Sequence, residues 1–126
     1  MGSYADDALF MSRNNIEYVE LISDDGKSKV MVIPAWQGRV MTTSAAGDEG
    51  DSYGWINYSF IKKRQIDLQF NPVGGEERFW LGPEGGVFSL YFRQGEKQIY
   101  KNWKVPPVLD IEHGNQRTCG GSECLY

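Results

Sequence analysis

Short runs of aromatic and β-branched residues, cut at close intervals by glycine and proline turns, predict an all-β fold for this chain. The expected form is a mostly antiparallel sandwich preceded by one short N-terminal helix. Three observations carry that expectation. Apolar and polar residues alternate in 16–22 and 66–70, Asp25-Gly26 marks a hairpin turn, and no 3.6-residue period extends beyond the first dozen residues. With 126 residues, 40% of them hydrophobic, the chain has material for one domain with a modest core.

The elements follow in order. Asp6 and Asp7 ahead of Ala8, Leu9, Phe10 and Met11 predict a helix over residues 5–13, because acids suit the first turn. Residues 16–22 and 28–34 read as a hairpin, with Pro34 ending the second strand or placing it at an edge. A third strand enters through Gly38 within residues 35–44. The run WINYSFI, residues 55–61, reads as a central strand, and Lys62-Lys63-Arg64 as an exposed corner. Further strands are expected over 66–70, 87–92 and 98–105, after which Pro106-Pro107 stops pairing for want of N–H donors. A β-sandwich domain over residues 1–110 and a divergent, flexible tail over 111–126 complete the expected organisation.

Composition excludes several functions. Thirteen basic residues against seventeen acidic ones give a net charge of −4 with no basic block, so nucleic acid and anionic membranes are not expected partners. No membrane span and no signal peptide is legible as written; a mature periplasmic or secreted form would look the same. Cys119 and Cys124, with His113 and Glu123 nearby, lack the second close-spaced ligand pair of a zinc fold. The acidic loop 45–53 lacks the alternating ligand series of a calcium loop. No metal and no cofactor is expected.

The stretch richest in chemistry is NPVGGEERFWLGPEGG, residues 71–86. Two glycine pairs allow turns and close approaches that side chains forbid, and between them lie acids, an arginine and a tryptophan. A carboxylate, a planar cation and an aromatic face in one loop suit a polar, ring-shaped ligand such as a sugar. Glu76, Arg78, Trp80 and Glu84, joined by Arg39 as a bidentate clamp, are the candidate carbohydrate-binding residues. Equally open is a structural reading, in which two tight turns flank a core strand and Arg78 pairs with a glutamate. Trp36, Trp55 and Trp103 could each serve the core or a ligand platform.

The segments VMVIPAWQGRVMTTSA, GDEGDSYGWINYSFI and GGEERFWLGPEGGVFSLYF resemble the amino-terminal part of an uncharacterised bacterial family with a galactose mutarotase-like fold. The resemblance runs from Asp6 to Asp110 and implies part of a large antiparallel supersandwich whose concave face accepts a sugar. It also implies aldose epimerase-like relatives, whose glycine-arginine-x-x-asparagine-arginine strand would fall near residues 54–59. There Trp55 and Ser59 stand in place of the arginines, and Val73 stands where their histidine-glycine-glycine motif begins. Mutarotation needs a base and an acid on one bound sugar, and no catalytic residue is assigned. The expected function is carbohydrate binding. The alternatives are a sugar-active enzyme of epimerase or hydrolase type using Glu76 or Glu84, and a chain without independent activity whose open sheet edges form a homo-oligomer.

Overall fold

The computed structural model describes residues 2–111, so the expectations for His113, Cys119, Glu123, Cys124 and most of the tail lie outside the described residues. The N-terminal helix forms as expected: α1 spans Tyr4–Arg13. Ser3 starts it with a capping box, its hydroxyl accepting from the Asp6 N–H while the Asp6 carboxylate accepts from the Ser3 N–H. Tyr4 and Met11 are the apolar residues it buries completely.

The first three strands also form. Strands β1 (Val19–Ile22), β2 (Lys29–Ile33) and β3 (Arg39–Ser44) make one antiparallel sheet in the order β1-β2-β3. Val19 faces Val32 across the hairpin and Ile22 faces Lys29. The Asp25 carboxylate builds the turn by accepting from the Ser23 hydroxyl and the Lys27 N–H, and Gly26 takes the positive φ of 71° that the turn needs. On the other side Ile33 faces Arg39, with a bulge between Met31 and Val32. Alternation along β2 sends Met31 and Ile33 inward, where they meet Met41, Tyr4, Met11, Ile56, Ile61 and Val73 in the main core.

Beyond β3 the expected strands do not form among the described residues. Residues 55–61 were expected to be a central strand, but α2 occupies Tyr58–Lys63 instead. Asn57 is the cause, because its side-chain oxygen accepts from the Phe60 N–H and so caps a helix start inside the aromatic run. The basic residues Lys62 and Lys63 then fall in the last turn, where cations suit the helix dipole. Arg64 closes it in a left-handed conformation, φ 50°.

The strands expected over 66–70, 87–92 and 98–105 are replaced by turns, with short 3-10 helices at Tyr100–Asn102 and Pro107–Leu109. Side chains take the backbone groups that a sheet ladder would need. The Asp67 carboxylate accepts from the Gln69 N–H at 2.7 Å, the Asn71 side chain holds both the N–H and the carbonyl of Asp67 at 2.8 Å, and the Ser89 hydroxyl accepts from the Tyr91 N–H at 3.1 Å. Here a second, smaller core gathers Tyr91, Val105 and Leu109 under Phe70, Trp80, Phe92 and Trp103. The described residues thus contain a three-stranded antiparallel sheet backed by a short helix, without a second sheet facing it. None of their helices is long and apolar enough to cross a membrane.

Replacing the helix cap, Ser3→Ala, is expected to lower stability at neutral pH by about 1 kcal/mol, read as a fall in the urea midpoint. The Ser3 N–H, and then its hydroxyl, hold the Asp6 carboxyl below the usual carboxylate range. A depressed folded pKa stabilises above the unfolded value and is lost as pH falls through the folded one. Ser3→Ala keeps the N–H and removes only the hydroxyl's share, so the gap should narrow by that smaller part on acidification through that window.

Candidate functional site

The glycine-rich stretch is placed by close contacts with the sheet. Gly74 and Gly75 have φ values of 96° and 110°. A Cβ at Gly74 would sit 2.2 Å from the Trp55 carbonyl oxygen, and one at Gly75 would sit 2.9 Å from Cδ of Arg39. Only glycine fits either place. With the backbones so close, the Gly75 N–H donates to the Trp55 carbonyl at 2.8 Å, the Glu76 N–H to the Val40 carbonyl at 2.9 Å, and the Val40 N–H to the Glu77 carbonyl at 3.1 Å. The loop thereby covers part of the outer edge of β3.

Asp110 draws the surrounding charges together. One carboxylate oxygen accepts from both the backbone N–H and the side-chain amide of Asn71, each at 2.8 Å. The other faces two guanidinium groups, Arg39 at 3.8 Å and Arg78 at 3.6 Å. Arg39 also donates to the Gly74 carbonyl at 2.8 Å, and Arg78 donates to the Leu109 carbonyl. Arg39 and Asp110 each have side chains only 3% exposed, so the clamp proposed for Arg39 is directed at an internal carboxylate. Among the described residues, two cations against one anion leave excess positive charge in a desolvated place. Burial, and then the Arg78 charge, push the Arg39 pKa down to about 10 against the opposing pull of Asp110.

The remaining predicted residues divide. Glu76 turns back to β3, where its carboxylate accepts from the N–H and the hydroxyl of Thr43. Trp80 carries the Arg78 guanidinium 4.4 Å from its ring centroid and stacks on Tyr91 at 5.1 Å. Its indole N–H donates to one carboxylate oxygen of Glu84 at 2.7 Å. The structure therefore joins Arg39 to Arg78 through Asp110, and Arg78 to Glu84 through Trp80. Glu76 stands apart from that series.

Glu84 leads to a surface of which sequence reasoning named only Glu84 and, as core or ligand platform, Trp103. From Trp80 and Tyr91 the stack continues to Trp103 at 5.9 Å and on to Tyr100 at 6.2 Å, with successive planes tilted by only 15° and 16°. At the open end, Glu84, Gln98, Tyr100 and Trp103 border a shallow cavity of about 330 Å³, within the usual range of ligand clefts. Gln98 is fixed by a two-point grip on Gly86, its side chain bonding that residue's N–H at 2.8 Å and carbonyl at 3.0 Å. Tyr100 is 75% exposed. A strand would send Tyr100 and Trp103 to opposite faces, whereas the 3-10 turn brings positions three apart to one side. That spacing was the available signal. Asp110 had none, since its neighbours Leu109 and Ile111 mark it as nothing more than a residue near the change in composition.

The fold and this surface define a small sheet-and-helix chain carrying an aromatic platform edged by a carboxylate. The chain belongs to DUF6786, a family of unknown function, whose model matches residues 2–117. No match to a curated protein or to a solved structure accompanies it.

Removing the shared counter-charge, Asp110→Ala, should destabilise the chain by about 3 kcal/mol, because it leaves two poorly solvated guanidinium groups unpaired. Glu84→Gln, at an exposed position, should leave the urea midpoint within about 0.5 kcal/mol of wild type. Equal midpoints for Asp110→Ala and wild type would remove Asp110 from its structural role.

Proposed function

We propose that this chain binds carbohydrate, with the sugar ring lying on Trp103 and Tyr100 and its hydroxyls donating to Glu84. The observation that carries this reading is the stacked aromatic column ending in a cavity that Glu84 borders. Sugar rings present apolar C–H faces to aromatic surfaces and hydroxyls to carboxylates, and both kinds of group meet here. Glu84 spends one oxygen on the Trp80 indole, which fixes the side chain, and its second oxygen has no partner among the described residues. Arg78 and Trp80 support the platform from beneath, and Arg39 holds the loop that carries them.

Binding is favoured over turnover because Glu76 is bonded to Thr43 while Glu84 lies against Trp80, so these two carboxylates do not border one cavity. The resemblance to galactose mutarotase-like proteins supports the same ligand class, and it carries with it a larger sandwich of which this sheet would be one part. The antiparallel β1-β2-β3 sheet is consistent with that larger fold.

Titration with glucose or galactose should produce a saturable change in tryptophan emission. Trp103→Ala should abolish the response, and Glu84→Gln should weaken it about tenfold by replacing a charged acceptor. An emission change that persists undiminished in Trp103→Ala, or no saturable change with any neutral sugar, would overturn the reading.

A second reading, a chain completed by association with another copy, is favoured by a different observation. Val87 and Phe88 are 89% and 83% exposed, Leu68 and Val108 are also exposed, and the outer edge of β1 pairs with no described residue. Sedimentation at increasing concentration should then show a dimer, and Leu21→Lys on β1 should shift it toward monomer. A monomer at all concentrations would dismiss association.

A further inference from the structure

A second cavity lies at the junction of α1, the 52–56 segment and α2. Its volume is about 420 Å³, and Asp7, Ser52, Gly54, Tyr53, Trp55 and Tyr58 are among the residues that border it. Asp7 is 2% exposed, yet none of the ion pairs among the described residues includes it. Its two oxygens accept from the Ser52 hydroxyl and the Tyr58 hydroxyl. Ser52 in turn is bonded to Thr42, whose hydroxyl oxygen accepts from the Gly54 N–H at 2.9 Å. With Asp7 ionised, every proton in the chain has a direction: Gly54 donates to Thr42, Thr42 to Ser52, and Ser52 to Asp7.

We infer that this cavity is a binding site for a small organic ammonium ion. Both carboxylate oxygens already accept a hydroxyl, so hydrogen-bonding capacity is largely taken up, while no ion pair among the described residues compensates the negative charge. Beside that charge stand three aromatic residues, of which Trp55 is 63% exposed and Tyr53 56%. Aromatic faces grouped around a carboxylate attract a cation through the ring quadrupole as well as through the charge. A sugar would need free donors and acceptors that this cavity has largely spent. Burial, and then the bond to Asp7, raise the Tyr58 phenol above its ordinary range, which keeps it a donor to the carboxylate. Asp6, the neighbouring acid on α1, adds to the negative field that Tyr58 experiences. The hydroxyl network by itself would tie α1 to β3 and α2 without requiring an open cavity or an exposed tryptophan. The site is separate from the aromatic column at Trp103, so either reading can fail without the other.

The probes are choline and its neutral carbon isostere, 3,3-dimethyl-1-butanol, followed by nitrogen-proton correlation spectra of the full chain. Choline should move the Gly54 amide and the Trp55 indole saturably, beyond any shift caused by sodium chloride at the same ionic strength. The isostere should bind at least about tenfold more weakly, as expected for loss of the cation–π and charge contributions. Trp55→Ala, an exposed position, should weaken choline binding about tenfold with the rest of the spectrum preserved. Asp7→Asn should erase the preference for choline over the isostere; should that variant fail to fold, the isostere and Trp55→Ala comparisons decide alone. Equal binding of the two probes by wild type, shifts matched by sodium chloride, or undiminished binding by Trp55→Ala would each overturn the inference.

Discussion

The carboxylate of Asp110 is the constraint on which much of this structure depends. Through Asn71 it fixes the start of the glycine-rich loop, and through Arg39 and Arg78 it ties that loop to β3 and to the aromatic column. The main core under the sheet and the smaller core around Tyr91 form separate clusters. Charge pairing and the backbone bonds of the glycine loop together tie the smaller core to the sheet. The arrangement is electrostatically uneven, with two arginines facing one acid among the described residues, and the Arg39 pKa is depressed first by burial and then by the Arg78 charge.

Glycine makes the arrangement geometrically possible. At Gly74 and Gly75 the loop backbone comes against Trp55 and Arg39 more closely than any side chain would permit, and the bonds to Trp55 and Val40 follow from that approach. The outer edge of β3 is partly covered as a result, while β1 at the other side of the sheet keeps its edge open. The two halves of the chain consequently differ in character. The first is a hairpin sheet whose pairing satisfies its backbone; the second relies on Asp67, Asn71, Ser89 and Gln98 side chains to satisfy its own.

Two polar surfaces emerge from this division. Around Trp103, rings are stacked on one another and their last member is exposed beside a carboxylate held by Trp80. Around Asp7, the carboxylate is buried and the aromatic residues form a border to it. The first arrangement offers a flat face and one unbonded carboxylate oxygen, the second a buried carboxylate that no ion pair among the described residues includes. Each brings together distant parts of the chain, Glu84 with residues 98–103 in the first and Asp7 with residues 52–58 in the second.

Local signals in the sequence determined the N-terminal half. Asp6 and Asp7 ahead of the apolar residues of 8–11 mark α1, and Asp25-Gly26 marks the hairpin, because each depends on neighbours only a few positions away. The same local reasoning recognised the glycine loop as a place of close approach and picked out Arg39, Arg78, Trp80 and Glu84, which the structure connects in series, whereas Glu76 went to Thr43. It misread residues 55–61 because the aromatic content outweighed one capping asparagine, and it misread 66–105 because strand-like composition forms a strand only where another strand lies ready to pair. Asp110 beside Arg39, Tyr58 on Asp7, and Trp103 over Tyr91 join residues a dozen or more positions apart. Only the tertiary structure could decide them, because burial and charge pairing are properties of where the chain returns to itself and leave no mark on the local pattern.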